Sequence, residues 1–266
     1  EGSKLPSGKS FSFVLKEDGK VIETISVNGT GSVSFKPLKY AVNPANGEYA
    51  VGEHTYTIEE VIPAGATAEN NYTYQGITYD NTVYTVKLVV EDDGNGNLVT
   101  KVDGNVQATF NATFTNDYKV ADTKIALNGN KVLNGQVLEG DMFTFKLEAS
   151  DEVTSKAVSD GVVVLPANTA VKNDANGNFS FGEILFKAEG NYTFKVTEEK
   201  PDETNGIQYS EDVYTVSVSV KDDNNGKLVA TKTITKNNGE VGDITFINYY
   251  AENGIVITAK KSLEGR

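Results

Sequence analysis

Cysteine and tryptophan are absent from the 266 residues, and histidine and methionine occur once each. Without thiols the chain can hold neither a disulfide framework nor a thiolate metal site. His54, with no acid or cysteine motif around it, is read as structural rather than as a metal ligand or catalytic base. Positive charge is also short: 24 Lys+Arg face 37 Asp+Glu, a formal charge of -13 spread along the chain. Phosphate binding needs a basic face, so nucleic acid is not expected as a partner. No run of 18 apolar residues is present, which argues against direct membrane insertion. Nor is there a recognisable signal peptide or sorting tail; such a signal is expected to have been removed or to lie outside this sequence. A sustained 3.6-residue apolar period is missing as well.

What remains is β-sequence. Alternating runs rich in Val, Ile, Thr, Tyr and Phe recur: "FSFVL", "HTYTIEE", "VYTVKLVVE", "FTFKLE", "NYTFKVTEE" and "VYTVSVSVK". Between them fall Asn-Gly pairs at Asn28, Asn46, Asn128, Asn134, Asn176, Asn205, Asn225, Asn238 and Asn253. Such pairs suit hairpins and other turns with positive φ. The expectation is an all-β chain of Ig-like sandwiches.

The chain repeats itself. "GITYDNTVYTVKLVVEDDGNGNLV" from Gly76 matches "GIQYSEDVYTVSVSVKDDNNGKLV" from Gly206. "FSFVLKEDG" from Phe11 matches "FTFKLEASD" from Phe143, "HTYTIEE" matches "YTFKVTEE", and "FTNDY" from Phe114 matches "FINYY" from Phe246. The expected organisation is two sandwich domains, 1–119 and 120–251, followed by a segment 252–266. That last segment, containing "GIVITAKKSLEGR", repeats the first strand of the second domain: Ile125/Ile255, Leu127/Ile257, Lys131/Lys261, Leu133/Leu263 and Gly135/Gly265 align. The first domain is expected to lack such a strand of its own, and 252–266 to act as a donor strand for the next unit.

Strand alternation places Lys131 on the face of Ile125, Leu127 and Leu133. The same parity groups Tyr192, Phe194 and Val196 with Glu198, and His54, Tyr56 and Ile58 with Glu60. Phe114 shares a face with Asn116, and Phe246 with Asn248. Taken singly, an inward Lys, Glu or Asn is most simply a snorkelling, rim or capping residue. Jointly and in duplicate they need a reason, because burying a charge is costly unless it is paired or neutralised. Desolvation favours a neutral amine and a neutral acid. Such an amine is a nucleophile, and the acid can polarise an asparagine amide and pass protons to departing ammonia. The product is a Lys–Asn isopeptide bond.

These motifs, with "NKVLNGQVLEGDMFTFKL", "FSFGEILFKAEGNYTFKVTEEK" and "ITFINYY", make the chain similar to tandem streptococcal-type pilin isopeptide linkage domains, relatives of the Cna-B-type sandwiches of Gram-positive pilins and adhesin stalks. The resemblance implies a first-strand lysine joined to a last-strand asparagine with help from a central-strand glutamate. Carried onto this sequence, it implies Lys131 bonded to Asn248 and assisted by Glu198, with Glu199 ranked second because it faces outward. In the first domain it implies Glu60 and Asn116, with no lysine of its own; Lys4 and Lys9 match poorly. Lys261 is expected to serve Asn116 and Glu60 of another unit.

"GSKLPSGKS" departs from a phosphate-binding loop in spacing and in the strand that follows it. "DDGNGN" and "DDNNG" lack the glycine and closing glutamate placement of a calcium loop. Asn-x-Thr triplets such as Asn71–Thr73 matter only in a glycosylating secretory pathway. The resulting expectation is a structural protein of the bacterial cell surface: extracellular, without cofactor or metal, and not an enzyme beyond one self-directed turnover. Its expected partners are copies of itself or adjacent repeats, head to tail. A host-ligand or glycan-binding adhesin is the alternative, and it would use the irregular stretches "YAVNPANGEYAVGEH" and "VIPAGATAENNYTYQ".

Overall fold

The structure, a computed structural model, describes residues 5–45, 47–107 and 109–251. It is all-β and divides into two compact units between Val120 and Ala121. Asn253, Lys261 and the whole proposed donor strand lie outside the described residues, as does Lys4.

The second unit is a two-sheet sandwich. One sheet has five strands in the order Val163–Val164, Asn178–Phe186, Thr123–Asn134, Ile244–Tyr250, Ile207–Gln208. The other has six, in the order Ala170–Lys172, Thr144–Ala149, Gly190–Glu198, Val213–Asp222, Leu228–Lys236, Gly239–Val241. Alternation in "FTFKL", "NYTFKV" and "VYTVSVSV" turns one side of each strand inward. Phe145, Phe194, Val196, Tyr214 and Val216 are accordingly buried. Phe145 of the six-stranded sheet stacks on Phe179 of the facing sheet with ring centroids 3.8 Å apart, and Phe246 lies 5.3 Å from Phe145. Each such fully buried phenyl ring contributes roughly 1.5–3 kcal/mol.

Thr123–Asn134 is central in its sheet. It runs antiparallel to Asn178–Phe186 and parallel to Ile244–Tyr250. Asn128-Gly129, expected as a turn signal, lies inside this strand instead. Gly129 is explained by packing: a Cβ there would come within 2.2 Å of the Phe179 ring. Asn205-Gly206 does form a turn, with φ of 47° and 81°. The α-helix Glu152–Ser159, the one α-helix among the described residues, is capped by Asp151, whose carboxylate accepts from the Thr154 amide at 2.6 Å.

The first unit carries a full six-stranded sheet in the order Asn105–Val106, Leu98–Val102, Val83–Asp92, Gly52–Glu60, Ser10–Glu17, Lys20–Asn28. Besides it, the described residues of this unit form a small three-stranded sheet of Asp117–Tyr118, Ile77–Thr78 and Thr73–Tyr74, and a two-stranded parallel pair of Tyr40–Ala41 and Tyr49–Ala50. Among the described residues nothing takes the place of the second unit's Thr123–Asn134 strand, and both of its neighbours are affected. "GSVSFKPLKY" at 31–40 corresponds to "GNFSFGEILF" at 177–186, yet residues 31–39 form no strand. The last strand, expected to carry Phe114 and Asn116, is reduced to Asp117–Tyr118. A strand is held by the ladders on its two edges; without the central one, the flanking segments lose the partner that defines them. Val33, Phe35, Leu38 and Tyr40 are consequently half-buried, where Phe179, Phe181, Ile184 and Phe186 are buried. His54 is held within the unit, Nδ1 2.6 Å from Glu17 Oε1 and Nε2 2.9 Å from the Ala50 carbonyl oxygen.

Candidate functional site

Lys131 sits past the midpoint of the Thr123–Asn134 strand, on the face that buries Leu127 and Leu133, and is itself 1% exposed. Its Nζ lies 2.7 Å from Oε1 of Glu198, and both side chains are fully shielded from solvent. This is ion-pair distance, but the approach angle leaves Nζ without a directed hydrogen bond. The ammonium also lies 4.4 Å from the centroid of the Phe143 ring, a cation–π contact.

Asn248 arrives from the adjacent parallel strand, where Leu133 is its register partner, and it too is fully buried. Its Nδ2 donates to the same Glu198 Oε1 at 3.1 Å. Its Oδ1 accepts from the backbone N–H of Ser210 at 2.7 Å. Lys131 and Asn248 therefore meet at one carboxylate oxygen, while Glu198 Oε2 is buried with no partner. Phe143 and Tyr209, in edge contact at 5.6 Å, provide apolar surface beside it.

Electrostatics follow from this enclosure. Burial raises the pKa of the Glu198 carboxyl group, against the opposing effects of Lys131 and Asn248. Burial likewise pulls the Lys131 ammonium down to about 8, although Glu198 favours its charged form. The Tyr209 hydroxyl is pushed up by burial and by the Glu198 charge. The environment thus moves amine and acid toward neutrality together. A neutral amine, an amide whose carbonyl oxygen is held by a backbone N–H, and an acid touching both nitrogens are the parts of an acyl transfer to nitrogen.

Glu199 is excluded from this cluster. It is exposed and accepts from Lys146 Nζ at 2.9 Å. The sequence reading missed the Ser210 N–H and the Phe143 ring. The in-register repeat carries both signals, since Asp80 and Phe11 occupy the matching positions in the first unit.

There the same frame recurs without the amine. Asn116 Nδ2 donates to Glu60 Oε1 at 2.7 Å, and Asn116 Oδ1 accepts from the Asp80 N–H at 2.7 Å. Glu60 is 5% exposed, its Oε2 has no partner, and burial raises its pKa despite the Asn116 hydrogen bond. Among the described residues no ion pair reaches Glu60. Lys9 is elsewhere, its Nζ 3.5 Å from Gln75 Oε1.

No group of three or more metal-ligating side chains occurs among the described residues, and no described helix is long and apolar enough to cross a membrane.

Residues 1–119 and 127–251 each match the family described as FctA, the Spy0128-like isopeptide containing domain. A pilin from Streptococcus pyogenes serotype M1 is 30% identical over 164 residues, which cover 58% of this chain and 47% of that protein. The chain thus spans about half the length of this relative. Among solved structures, the major pilin of Streptococcus pyogenes aligns over 94% of this chain and 93% of its own at 14% identity and a TM-score of 0.24. The T3.2 major pilin of the same species aligns over 94% and 93% at 16% identity and a TM-score of 0.27.

Proposed function

The chain belongs to the family of Spy0128-like isopeptide-containing domains, and on that premise we propose that it is a shaft segment of a pilus, fibril or adhesin stalk on the bacterial cell surface. Its second unit is closed by a bond between Lys131 and Asn248. The observation that carries this reading is the convergence of Lys131 Nζ and Asn248 Nδ2 on one buried oxygen of Glu198.

In the reaction, the neutral amine of Lys131 attacks Cγ of Asn248, forming a C–N bond. Charge developing on Oδ1 is stabilised by the Ser210 N–H. Glu198 takes a proton from Nζ and delivers it to Nδ2; the Cγ–Nδ2 bond breaks and ammonia leaves. The acid ends as it began, and the amide product is not turned over. The event is a single self-directed step rather than enzymatic catalysis.

The consequence is mechanical. The bond joins strands near the beginning and end of the unit, so tension meets a covalent link instead of a hydrogen-bond ladder alone. It needs no oxidising compartment, in keeping with the absence of cysteine. The domain limits are 1–119 and 120–251, and 252–266, through Lys261, links to Glu60 and Asn116 of a neighbouring unit. Peptide mapping tests the first bond: a branched fragment joining Lys131 to Asn248 is expected, and unmodified Lys131 and Asn248 peptides throughout would refute it.

A further inference from the structure

The first unit holds a cavity of about 220 Å³ lined by Phe11, Phe13, Ile77, Phe114 and Asn116, among others. Its lining reaches Gly31, Phe114 and Asn116; residues 31–39 and 114–116 form no strand although their counterparts in the second unit flank the Lys131 strand. At Asn116 this groove meets Glu60, whose buried Oε2 has no partner. Apolar walls, unladdered edges and an orphaned carboxylate oxygen together describe the seat of a lysine-bearing strand.

The alignment of the two units with the tail also specifies which strand. In the second unit the strand position facing Phe179 is Gly129, because any Cβ there would come within 2.2 Å of the Phe179 ring. In the first unit Phe179 is replaced by Val33, and in the tail Gly129 is replaced by Ala259. The smaller aligned side chain goes with the larger strand residue. A second position is unchanged on both sides. A Cβ on Gly135 would lie 2.5 Å from the Tyr250 carbonyl oxygen, and the tail keeps Gly265 there. Likewise a Cβ on Gly177 would lie 2.2 Å from the Lys131 carbonyl oxygen, and the aligned position in the first unit is Gly31.

Resting on the isopeptide reading above, we propose that the first unit is a size-selective acceptor groove for residues 254–266 of a second copy of this chain, with Val33 and Ala259 setting the match. The second unit's register places Lys131 opposite Phe246 and Leu133 opposite Asn248. The incoming Lys261 then lies opposite Phe114 and Leu263 opposite Asn116, parallel to that segment. The Lys261 amine attacks Cγ of Asn116, the Cγ–Nδ2 bond breaks, and Glu60 carries the proton to the departing ammonia. Val33 acts as a specificity residue: by the alignment it takes the place of Phe179 opposite Ala259, two positions from Lys261, and has no part in the reaction.

The test uses the full chain at high concentration, read by multimers that survive boiling in detergent and by mapping of the Lys261–Asn116 fragment. Wild type is expected to form a ladder and Lys261→Ala to remain monomeric. Val33→Phe restores the ring that excludes a Cβ. Overpacking of this kind should slow ladder formation about fivefold or more. Adding Ala259→Gly to Val33→Phe should recover most of the rate, which a misfolded groove would not do. An undiminished ladder in Val33→Phe would overturn the size match. Wild type that stays monomeric, or that loses two ammonia molecules within one chain, would overturn the second copy as occupant. A monomer lighter by one ammonia would still uphold the Lys131–Asn248 bond, so the two proposals fail separately.

Discussion

Lys131 Nζ lies 2.7 Å from Glu198 Oε1, with neither side chain exposed to solvent. A buried ion pair is poor value for stability alone, because desolvation offsets most of its attraction and well-packed apolar residues do as well. Its placement beside an equally buried asparagine amide instead suits a reaction that consumes the amine.

The first expected outcome is a mass. Purified chain, resolved as monomer, should be lighter than its sequence by one ammonia. Glu198→Ala should restore the full mass, because the amine then has no acid to pass its proton to the leaving group. Glu199→Ala should leave the mass deficit intact, since Glu199 is paired with Lys146 at the surface. A deficit that persisted in Glu198→Ala would remove Glu198 from the mechanism.

The rate of closure should have an optimum in pH. Neutral amine beside neutral acid holds one proton, and so does the ion pair, so only the one-proton state of the couple is competent. Below the raised carboxyl value the couple holds two protons and the amine is blocked; above about 8, where Lys131 loses its proton, the acid is gone as well. Ammonia loss after refolding uncrosslinked chain, followed by intact mass, should fall on both sides of this window. A rate that kept rising with pH would mean that amine deprotonation alone controls the step.

The repeat and the inward parity of Lys131, Glu198 and Asn248 were legible because a strand's period of two leaves no third option for a side chain. The same rule separated Glu198 from Glu199. Gly129 misled as a turn signal because its reason is the Phe179 ring on another strand, which sequence spacing does not expose. Asn116 lies beside Glu60, but residues 111–116 form no strand. Strand formation at 109–116 depends on a neighbour's edge rather than on the segment's own residues. The Ser210 N–H escaped notice because a backbone donor carries no residue signature.

Phe143 guards the amine. Its ring is 1% exposed and lies 4.4 Å from Lys131 Nζ. Phe143→Ala should destabilise the second unit by about 3–5 kcal/mol through the cavity it leaves. It should also admit water, move the Lys131 pKa back toward its ordinary range and slow closure. Time-resolved intact mass would show a mixture of closed and open chain; fast, complete closure would show that the ring has no part in tuning the amine.

In the first unit, Glu60 should make stability depend on pH in the acid direction. Its pKa is raised by burial above the ordinary 4.5, so the folded state binds the proton more tightly than the unfolded chain. Its contribution is fully present below 4.5 and is lost as pH rises through the folded value. Asp80 has the opposite sign: although burial raises it, hydrogen bonds from Thr82 and Thr115 hold its pKa low. The clean measurement is therefore the difference between wild type and Glu60→Gln in melts across this range. That difference should vary with pH as the Glu60 contribution does, and a pH-independent difference would count against a buried, protonatable Glu60.

The covalent bond should dominate the stability of the second unit. Joining Lys131 to Asn248 closes a loop of roughly 100 residues, and the chain-entropy relation for such a loop gives about 5 kcal/mol of stabilisation, through the entropy the unfolded chain loses. Lys131→Met tests this more cleanly than Asn248→Ala, because it removes the crosslink and the buried cation together and fills the space with an apolar chain. Glu198 is then left to protonate, which its environment already favours. The midpoint of denaturant unfolding for the second unit should fall by an amount equivalent to about 4–5 kcal/mol, and protease should cut the variant where wild type resists. Glu198→Ala should lose a similar amount for the same reason, lack of the bond, although it keeps Lys131. Equal stability of wild type and both variants would show that the unit is held by its aromatic core alone.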